Sequence, residues 1–326
     1  MRLRSFIYHL IRLTGILAIV GFTLFPPVYA HTSGIHFNSD PVNNEPYKTT
    51  EFTVDGPGAL KVFTISGNID VIRHSEDGKV KIELYVDRGY AFWSNSKNLD
   101  NYRITMLQRG NEVVASVEEK SKDTGLFSDQ MTFSFKIYVP EQMSTDLKTY
   151  GGHISLDGVT GNHMMKTSGG NIDIDEVKGK VAAYTAGGNI SFDEVNGTMY
   201  AQTEGGNINV DEAHGEFRLK LKGGDVFADE ISGTMLVQSD GGDIYATFED
   251  VAQGISLVTT AGDIEIDLPS HNGFDLTANA NRIYLEDDSD SFSGSKNTKT
   301  IHGTLGKGGT PVSLQTQFGT VTINID

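Results

Sequence analysis

The sequence predicts an all-β chain wound as a single elongated parallel β-solenoid, with 18-residue coils in the centre and longer, irregular coils at both ends. Three observations lead there. Gly-Gly pairs return at a constant interval of 18 residues, from Gly151-Gly152 through Gly169-Gly170, Gly187-Gly188, Gly205-Gly206 and Gly223-Gly224 to Gly241-Gly242, and such regularity is the mark of repeat architecture. A further glycine follows each pair at a fixed distance, at Gly161, Gly179, Gly197, Gly215 and Gly233, until Val251 takes that place. Between the glycines, apolar residues alternate with polar ones at period two, which suits half-buried strands and not helices.

The type unit is residues 169–186, GGNIDIDEVKGKVAAYTA. Ile172 and Ile174 point inward from one short strand, Val181 and Ala183 from the next, and the glycines are expected to supply backbone angles that a Cβ resists. Stacking the units gives inward columns: Ile154, Ile172, Ile190, Ile208, Val226, Ile244 on one wall and His163, Val181, Met199, Phe217, Met235 on the other. Each buried apolar side chain contributes about 1.5 to 3 kcal/mol, enough only when neighbouring coils cover both ends of a unit. The calcium-binding nonapeptide coil is excluded, because Ile172 and Ile174 occupy its second-turn glycine and its ligand aspartate. A left-handed hexapeptide helix is excluded because the apolar columns do not follow a period of six.

Taken in order, residues 1–30 predict an export signal: Arg2, Arg4 and Arg12 form a basic head, Leu13 to Phe25 an apolar core, and Val28-Tyr29-Ala30 a small-residue cleavage site. The apolar run is short of the ~20 residues a membrane span needs. Residues 31–50 are polar and are expected to form a flexible leader, and residues 51–326 a single domain whose regular coils run over about 151–246. Strands are expected at Glu51–Val54, Ala59–Ile65, Asn68–Ile72, Val80–Val86, Tyr102–Leu107, Glu112–Val117 and Met131–Val139, with polar loops at 87–100 and 119–129. Beyond Phe248 the pattern loosens; Gly262 to Ile266, Phe274–Ala278, Arg282–Glu286 and Gly319 to Ile325 keep the strand pattern, and the acidic, serine-rich residues 286–298 are expected to be a loop.

SGNIDV (66–71), a strand ending in YVPE (138–141), TYGGHISLDGVTG, SGGNIDIDEVKG and the terminal FGTVTINI resemble the bacterial "putative adhesin" family, exported domains of unknown function with β-solenoid repeats. The likeness spans about residues 50 to 326. It implies the fold and an interaction role, and it brings no catalytic motif.

The chain has 43 acidic and 26 basic residues, a formal charge of −17, and no cysteine. Loss of the signal would remove three arginines and no acid. This balance argues against nucleic acid or an anionic membrane surface as partner, and the lack of cysteine excludes a disulfide framework.

Several polar columns are candidate sites. Asp157, Asp175, Asp193, Asp211 and Asp229 should stack at one corner, flanked by Glu176, Glu194, Glu212 and Glu230; like charges about 4.8 Å apart repel by about 1 kcal/mol in water and about 3 at an effective dielectric of 20. Oxygen ligands in such a row would suit a cation, Ca²⁺ above all. The simpler reading is that each Asp accepts a backbone N–H in its own turn, and no cofactor is expected. Asn171, Asn189 and Asn207, continued by Asp225 and Asp243, predict a structural amide ladder. Thr167, Thr185 and Thr203 align like the threonines of an ice-binding face, but the run stops at Leu221. Asp173 with Asp175 is the one candidate acid/base pair for a glycan-cleaving enzyme. Outward aromatics, Tyr184 with Tyr200 and Phe227 with Tyr245, could hold sugars or a protein partner, or simply brace the sheet. The expected function is therefore an exported, non-catalytic interaction or adhesion module of the cell envelope or surface, with a protein or glycan partner. A carbohydrate-active enzyme of the parallel-β type and a structural periplasmic scaffold are the alternatives.

Overall fold

A computed structural model describes residues 45–74, 78–87, 99–120, 131–287 and 291–325. The expected export signal at 1–30, the leader up to residue 44, and most of both polar excursions lie outside the described residues. Within them the chain is all-β, with one short 3₁₀ turn at Leu99–Asn101 and no α-helix.

The chain opens with β1 (Lys48–Thr53), which begins inside the stretch expected to be a leader, then β2 (Gly58–Thr64) and β3 (Ile69–Arg73). β4 (Lys79–Asp87), β5 (Tyr102–Arg109), β6 (Glu112–Glu119) and β7 (Thr132–Val139) follow. Two parallel walls then build up rung by rung. Each rung is one strand on a long wall and one on a short wall: β8 (Met143–Thr149) with β9 (Ile154–Asp157), β10 (Thr160–Lys166) with β11 (Ile172–Asp175), β12 (Lys178–Tyr184) with β13 (Ile190–Asp193), β14 (Asn196–Thr203) with β15 (Ile208–Asp211). β16 (His214–Leu221) leads into β17 (Val226–Ser239) and β18 (Ile244–Ala261), which each turn the corner and serve both walls, before β19 (Ile264–Leu268).

In the centre the parallel register is uniform: Ile172 lies between Ile154 and Ile190, and Val181 between His163 and Met199. Both expected inward columns are buried, as are Ile174 and Ala183 of the type unit. The offset between rungs is 18 residues up to Asp243 and 20 from there to Asp263, because β17 and β18 shift register around Ile231 to Met235. That is where Val251 replaces the repeat glycine.

In the first four pairs, through Gly206, the second glycine is required by crowding, not by backbone angle. Gly188 is not in the left-handed region, but a Cβ there would lie 1.9 Å from the Gly170 carbonyl oxygen of the rung below. At the opposite corner Gly197 has φ 141° as well as a Cβ position 2.0 Å from the Gly179 oxygen, so there the expected backbone argument holds.

The ends depart from a plain parallel winding. The β2–β3 rung receives β8 and β9 on one side and β6 and β7 on the other, so the chain first builds outward and then returns past Pro140. β4 runs antiparallel to β7 and to β1, and β5 antiparallel to β6. At the C-terminal side β20 (Phe274–Asn279) and β21 (Arg282–Asp287) skip one place. β23 (Thr300–Leu305) then pairs antiparallel with β20, and β22 (Phe292–Lys296) antiparallel with the far side of β23. Finally β24 (Thr310–Phe318) inserts between β18 and β20, and β25 (Thr320–Ile325) between β19 and β21. The acidic segment expected to be a loop thus carries β22, whose side chains are almost all exposed; antiparallel pairing can leave both faces in water where a buried parallel strand cannot.

Candidate functional site

Two of the polar columns are structural. Thr185 is 5% exposed; its Oγ1 donates to the Gly170 carbonyl at 2.9 Å and accepts the Gly188 N–H at 3.2 Å. Thr149, Thr167 and Thr203 do the same on their rungs. These threonines therefore face the core and not the surroundings, which removes any ice-binding reading. Buried Leu221 interrupts the column, and there the pair's second glycine, Gly224, moves to φ 93°.

The amide ladder is longer than its asparagines suggest. The Asn171 side-chain oxygen accepts the Asn189 N–H, Asn189 that of Asn207, and Asn207 that of Asp225, at 2.9 to 3.0 Å. Asp225, Asp243 and Asp263 continue it to Thr320. At the other end Asn68 accepts from His153, whose Nδ1 accepts the Asn171 N–H. His153 is thus a link in the ladder.

The acidic corner forms as expected in register: Asp157, Asp175, Asp193, Asp211 and Asp229 are successive partners. Glu176, Glu194, Glu212 and Glu230 beside them hold φ between 47° and 52°, left-handed geometry at residues with a Cβ. One rung earlier Gly158 occupies that position at φ 72°. Arg73 packs over it, and its guanidinium reaches Glu176 at 3.4 Å. Burial, then the charges of Asp193 and Asp157, push the Asp175 carboxyl up to about 6. Asp193 and Asp211 are raised chiefly by burial too, opposed by backbone N–H groups of Glu194 and Glu212, the local capping that aspartate in a turn commonly makes. Asp229 accepts the Thr247 hydroxyl. A groove of about 370 Å³ runs along this corner, lined by Lys178, Glu194, Asn196, Glu212, His214 and Glu230 among others. Among the described residues no three His, Cys, Asp or Glu side chains gather in a metal-binding arrangement. Asp173 and Asp175 project from one strand to the same side, beside each other and not across a cleft as an acid and base for glycan cleavage stand.

The aromatic pairs come together. Tyr184 and Tyr200 lie on adjacent rungs of the long wall, ring centroids 5.4 Å apart and tilted by 39°. Phe227 and Tyr245 stack on the short wall at 5.3 Å and 3°. All four are half-buried. The Tyr200 hydroxyl bonds Gln202 at 2.9 Å and that of Tyr245 bonds Asp243 at 3.3 Å.

Reasoning from the whole-chain charge missed the sign of the long wall. Lys166, Lys180 and Lys220 are exposed around the tyrosine pair. Their outward positions were legible from the alternation, but the net charge of −17 drew attention to the acids.

No curated protein matches this chain at a significant level. Among solved structures it is similar to a "putative adhesin" of Bacteroides fragilis NCTC 9343, at 15% identity and TM-score 0.39, over 85% of this chain and 96% of that one. It is also similar to a "putative lipid binding protein" of Parabacteroides distasonis ATCC 8503, at 13% identity and TM-score 0.40, over 86% and 97%. A "putative adhesin" from the same Parabacteroides strain aligns at 13% identity and TM-score 0.36, over 86% and 96%. Likenesses this loose carry no argument about ligand. The family match is of another kind, spanning residues 62–324: the chain belongs to the Toastrack DUF4097 family.

Proposed function

We propose that the protein is an exported, non-catalytic recognition module of the cell envelope or surface, whose two walls present paired aromatic rings to a glycan or protein partner. In this reading residues 1–30 are an export signal and 31–50 a leader. Residues 51–326 form one solenoid domain, with 18-residue coils over about 151–246 and longer ones at both ends. The observation that carries it is the position of the rings. The core is filled by the inward columns, so Tyr184, Tyr200, Phe227 and Tyr245 are not needed to pack it, yet they stack in pairs on outward positions, Phe227 and Tyr245 in a column that earlier rungs fill with small polar residues such as Ser155, Ser191 and Asn209. Paired rings with polar tips suit contact surfaces that are apolar in the middle and wet at the edge.

A glycan and protein array probed with the purified protein identifies the partner, and Phe227→Ala, Tyr245→Ala, Tyr184→Ala and Tyr200→Ala are then compared with the parent. At least one pair should lose about 1 kcal/mol or more of binding per ring, with a smaller fall in thermal stability. Unchanged affinity in all four, with lowered melting points, would show that the rings only brace the sheet.

A glycan-cleaving reading draws on the raised Asp175 carboxyl. Release of reducing ends from a bound polysaccharide, abolished by Asp175→Asn, would support it against the module.

A further inference from the structure

We infer that the long wall binds a linear polyanionic glycan, with Lys166, Lys180 and Lys220 meeting its carboxylates and Tyr184 and Tyr200 lying under its sugar rings. The inference rests on the reading of the aromatic walls as recognition surfaces and names the partner class for one of them.

The argument begins with a segregation of charge. Along the short wall and its corner the outward charges are carboxylates: Asp157, Asp175, Asp193 and Asp211 in one column, with the left-handed glutamates beside them. Over the same rungs of the long wall the outward charges are mostly cations. Two of these are neutralised locally, Lys148 by Asp146 at 3.0 Å and Arg218 by Glu216 at 2.9 Å. Lys166, Lys180 and Lys220 are exposed, and no ion pair engages them among the described residues. In a chain of net charge −17, a cluster of unneutralised lysines creates a local field of opposite sign, which concentrates anions.

Register places rings and cations in one frame. One outward column reads Lys166, Tyr184, Gln202, Lys220 on four successive rungs. The adjacent column reads Met164, Ala182, Tyr200, Arg218, Leu236, and Lys180 lies two residues before Ala182. Rungs repeat at about 4.8 Å, close to the length of one sugar ring in an extended chain. A glycan running along the rungs would therefore offer one ring per rung, with apolar faces over Tyr184 and Tyr200 and acidic groups over the flanking lysines. Lysine suits this as a mobile point charge that needs no fixed bidentate geometry.

The patch is built unlike a protein interface. Its exposed aliphatic side chains, Met164 at 46% and Leu236 at 39%, sit at its two ends, with rings, amides and charges between. Protein interfaces place the apolar cluster in the centre and the charges at the rim. A second copy's acidic corner is the competing occupant, and the test includes it.

Isothermal titration of the purified protein with polygalacturonate, and with neutral dextran of matched length, provides the test. Polygalacturonate should bind and dextran should not. Lys166→Glu combined with Lys220→Glu should weaken binding at least about tenfold, as should molar salt, which shortens the screening length to about 3 Å. Tyr184→Ala should weaken it as well, while Asn209→Lys on the short wall should leave it unchanged; circular dichroism of each variant confirms folding. Lack of polygalacturonate binding, or binding untouched by the double substitution, would overturn the inference. Equal, Tyr184-dependent binding of dextran would also overturn it, yet leave aromatic recognition standing. Salt-reversible self-association in sedimentation, abolished by the double substitution and without glycan binding, would overturn it in favour of a second copy.

Discussion

In the central rungs each strand lies beside the one that precedes it in the repeat, Ile172 beside Ile190 beside Ile208, whereas at each end one place is skipped and filled later by a strand from further along the chain. The centre is held by contacts that recur identically: a buried Thr-to-Gly bridge, a side-chain ladder, glycine on glycine. The ends rely on long-range closure and antiparallel strands. Identical nearest-neighbour contacts make a rung replaceable by another rung; a gap-filling strand has no substitute. The same division explains where paired backbone ends. Uniform parallel edges would invite another chain, and on the long wall the hairpins β5–β6 and β22–β23 occupy those positions instead.

The largest effect should come from treating the two regions alike. Deleting residues 188–205, one whole repeat, brings Ile172 next to Ile208 in the same register and should leave a folded, slightly less stable protein. Deleting residues 310–325, a stretch of similar length, withdraws buried Val312, Leu314, Val321 and Ile323 and uncovers two neighbouring rungs, a loss of at least roughly 6 kcal/mol. Limited proteolysis with mass spectrometry reads the difference: cleavage within 268–309 only in the second variant. Equal resistance would abolish the distinction.

Within the centre, the two glycines of a pair should behave differently. Gly188→Val should cost about 3 kcal/mol or more in chemical denaturation, since its first added atom meets the Gly170 backbone oxygen at 1.9 Å. Gly187→Ala meets only open space and the Ser168 oxygen at 4.0 Å, so its curve should overlay the parent's.

The first regular rung carries a buried histidine where later rungs have Val181, Met199 and Phe217. His163 is 3% exposed; Nδ1 is 3.1 Å from Thr145 Oγ1, Nε2 has no partner, and burial lowers its pKa to about 4. A depressed folded-state pKa means the unfolded chain binds the proton first. The stability is complete above pH 6.5 and is lost as pH falls toward 4, by on the order of 3 kcal/mol. Asp175 opposes this in the same window, because its raised carboxyl favours the folded state at low pH and the gain is lost as pH rises through about 6; its partial exposure keeps that part small. His163→Met should flatten the acid limb of a melting-temperature profile between pH 6.5 and 4. An unchanged limb would place the titration elsewhere.

The smallest effect should come from the left-handed corner. Glu194→Gly relieves φ 50° at a residue with a Cβ and removes one of a row of like charges, offset by the entropy glycine loses on folding. A gain of up to about 1 kcal/mol is expected, mirroring Gly158 on the earlier rung; a loss would mean that the Glu194 side chain has a stabilising contact.

Much of the centre could be read from the sequence because identical spacing and period-two alternation both encode register. Ile154 to Ile244 fall into one inward column on those grounds alone, and the aromatic pairs follow from their outward positions. β8 was not anticipated, although Met143, Thr145 and Leu147 alternate inward as the later rungs do, because it precedes the first glycine pair. The out-of-order rungs left no local trace: Val312 beside Ile255 is a pairing across 57 residues, decided by which edge is still open. Nor did alternation show that the glutamates beside the acidic column are left-handed, since glycine is the residue usually met there. The basic character of the long wall was legible but averaged away by a chain-wide charge.

The late insertion of β24 and β25 also sets an order of events. Winding can proceed from rung to rung only as far as β19; after that the unsatisfied edges of β18 and β19 wait until the chain has passed through two further strands and a hairpin and come back. During that interval they are templates for any extended peptide, including the same segment of another molecule. Refolding should therefore slow and lose yield as protein concentration rises, and a synthetic peptide spanning residues 310–325 added at the start should compete for the vacant place. Capture of such a peptide would turn the closing rung into a handle by which the folding of the molecule could be stopped one step short.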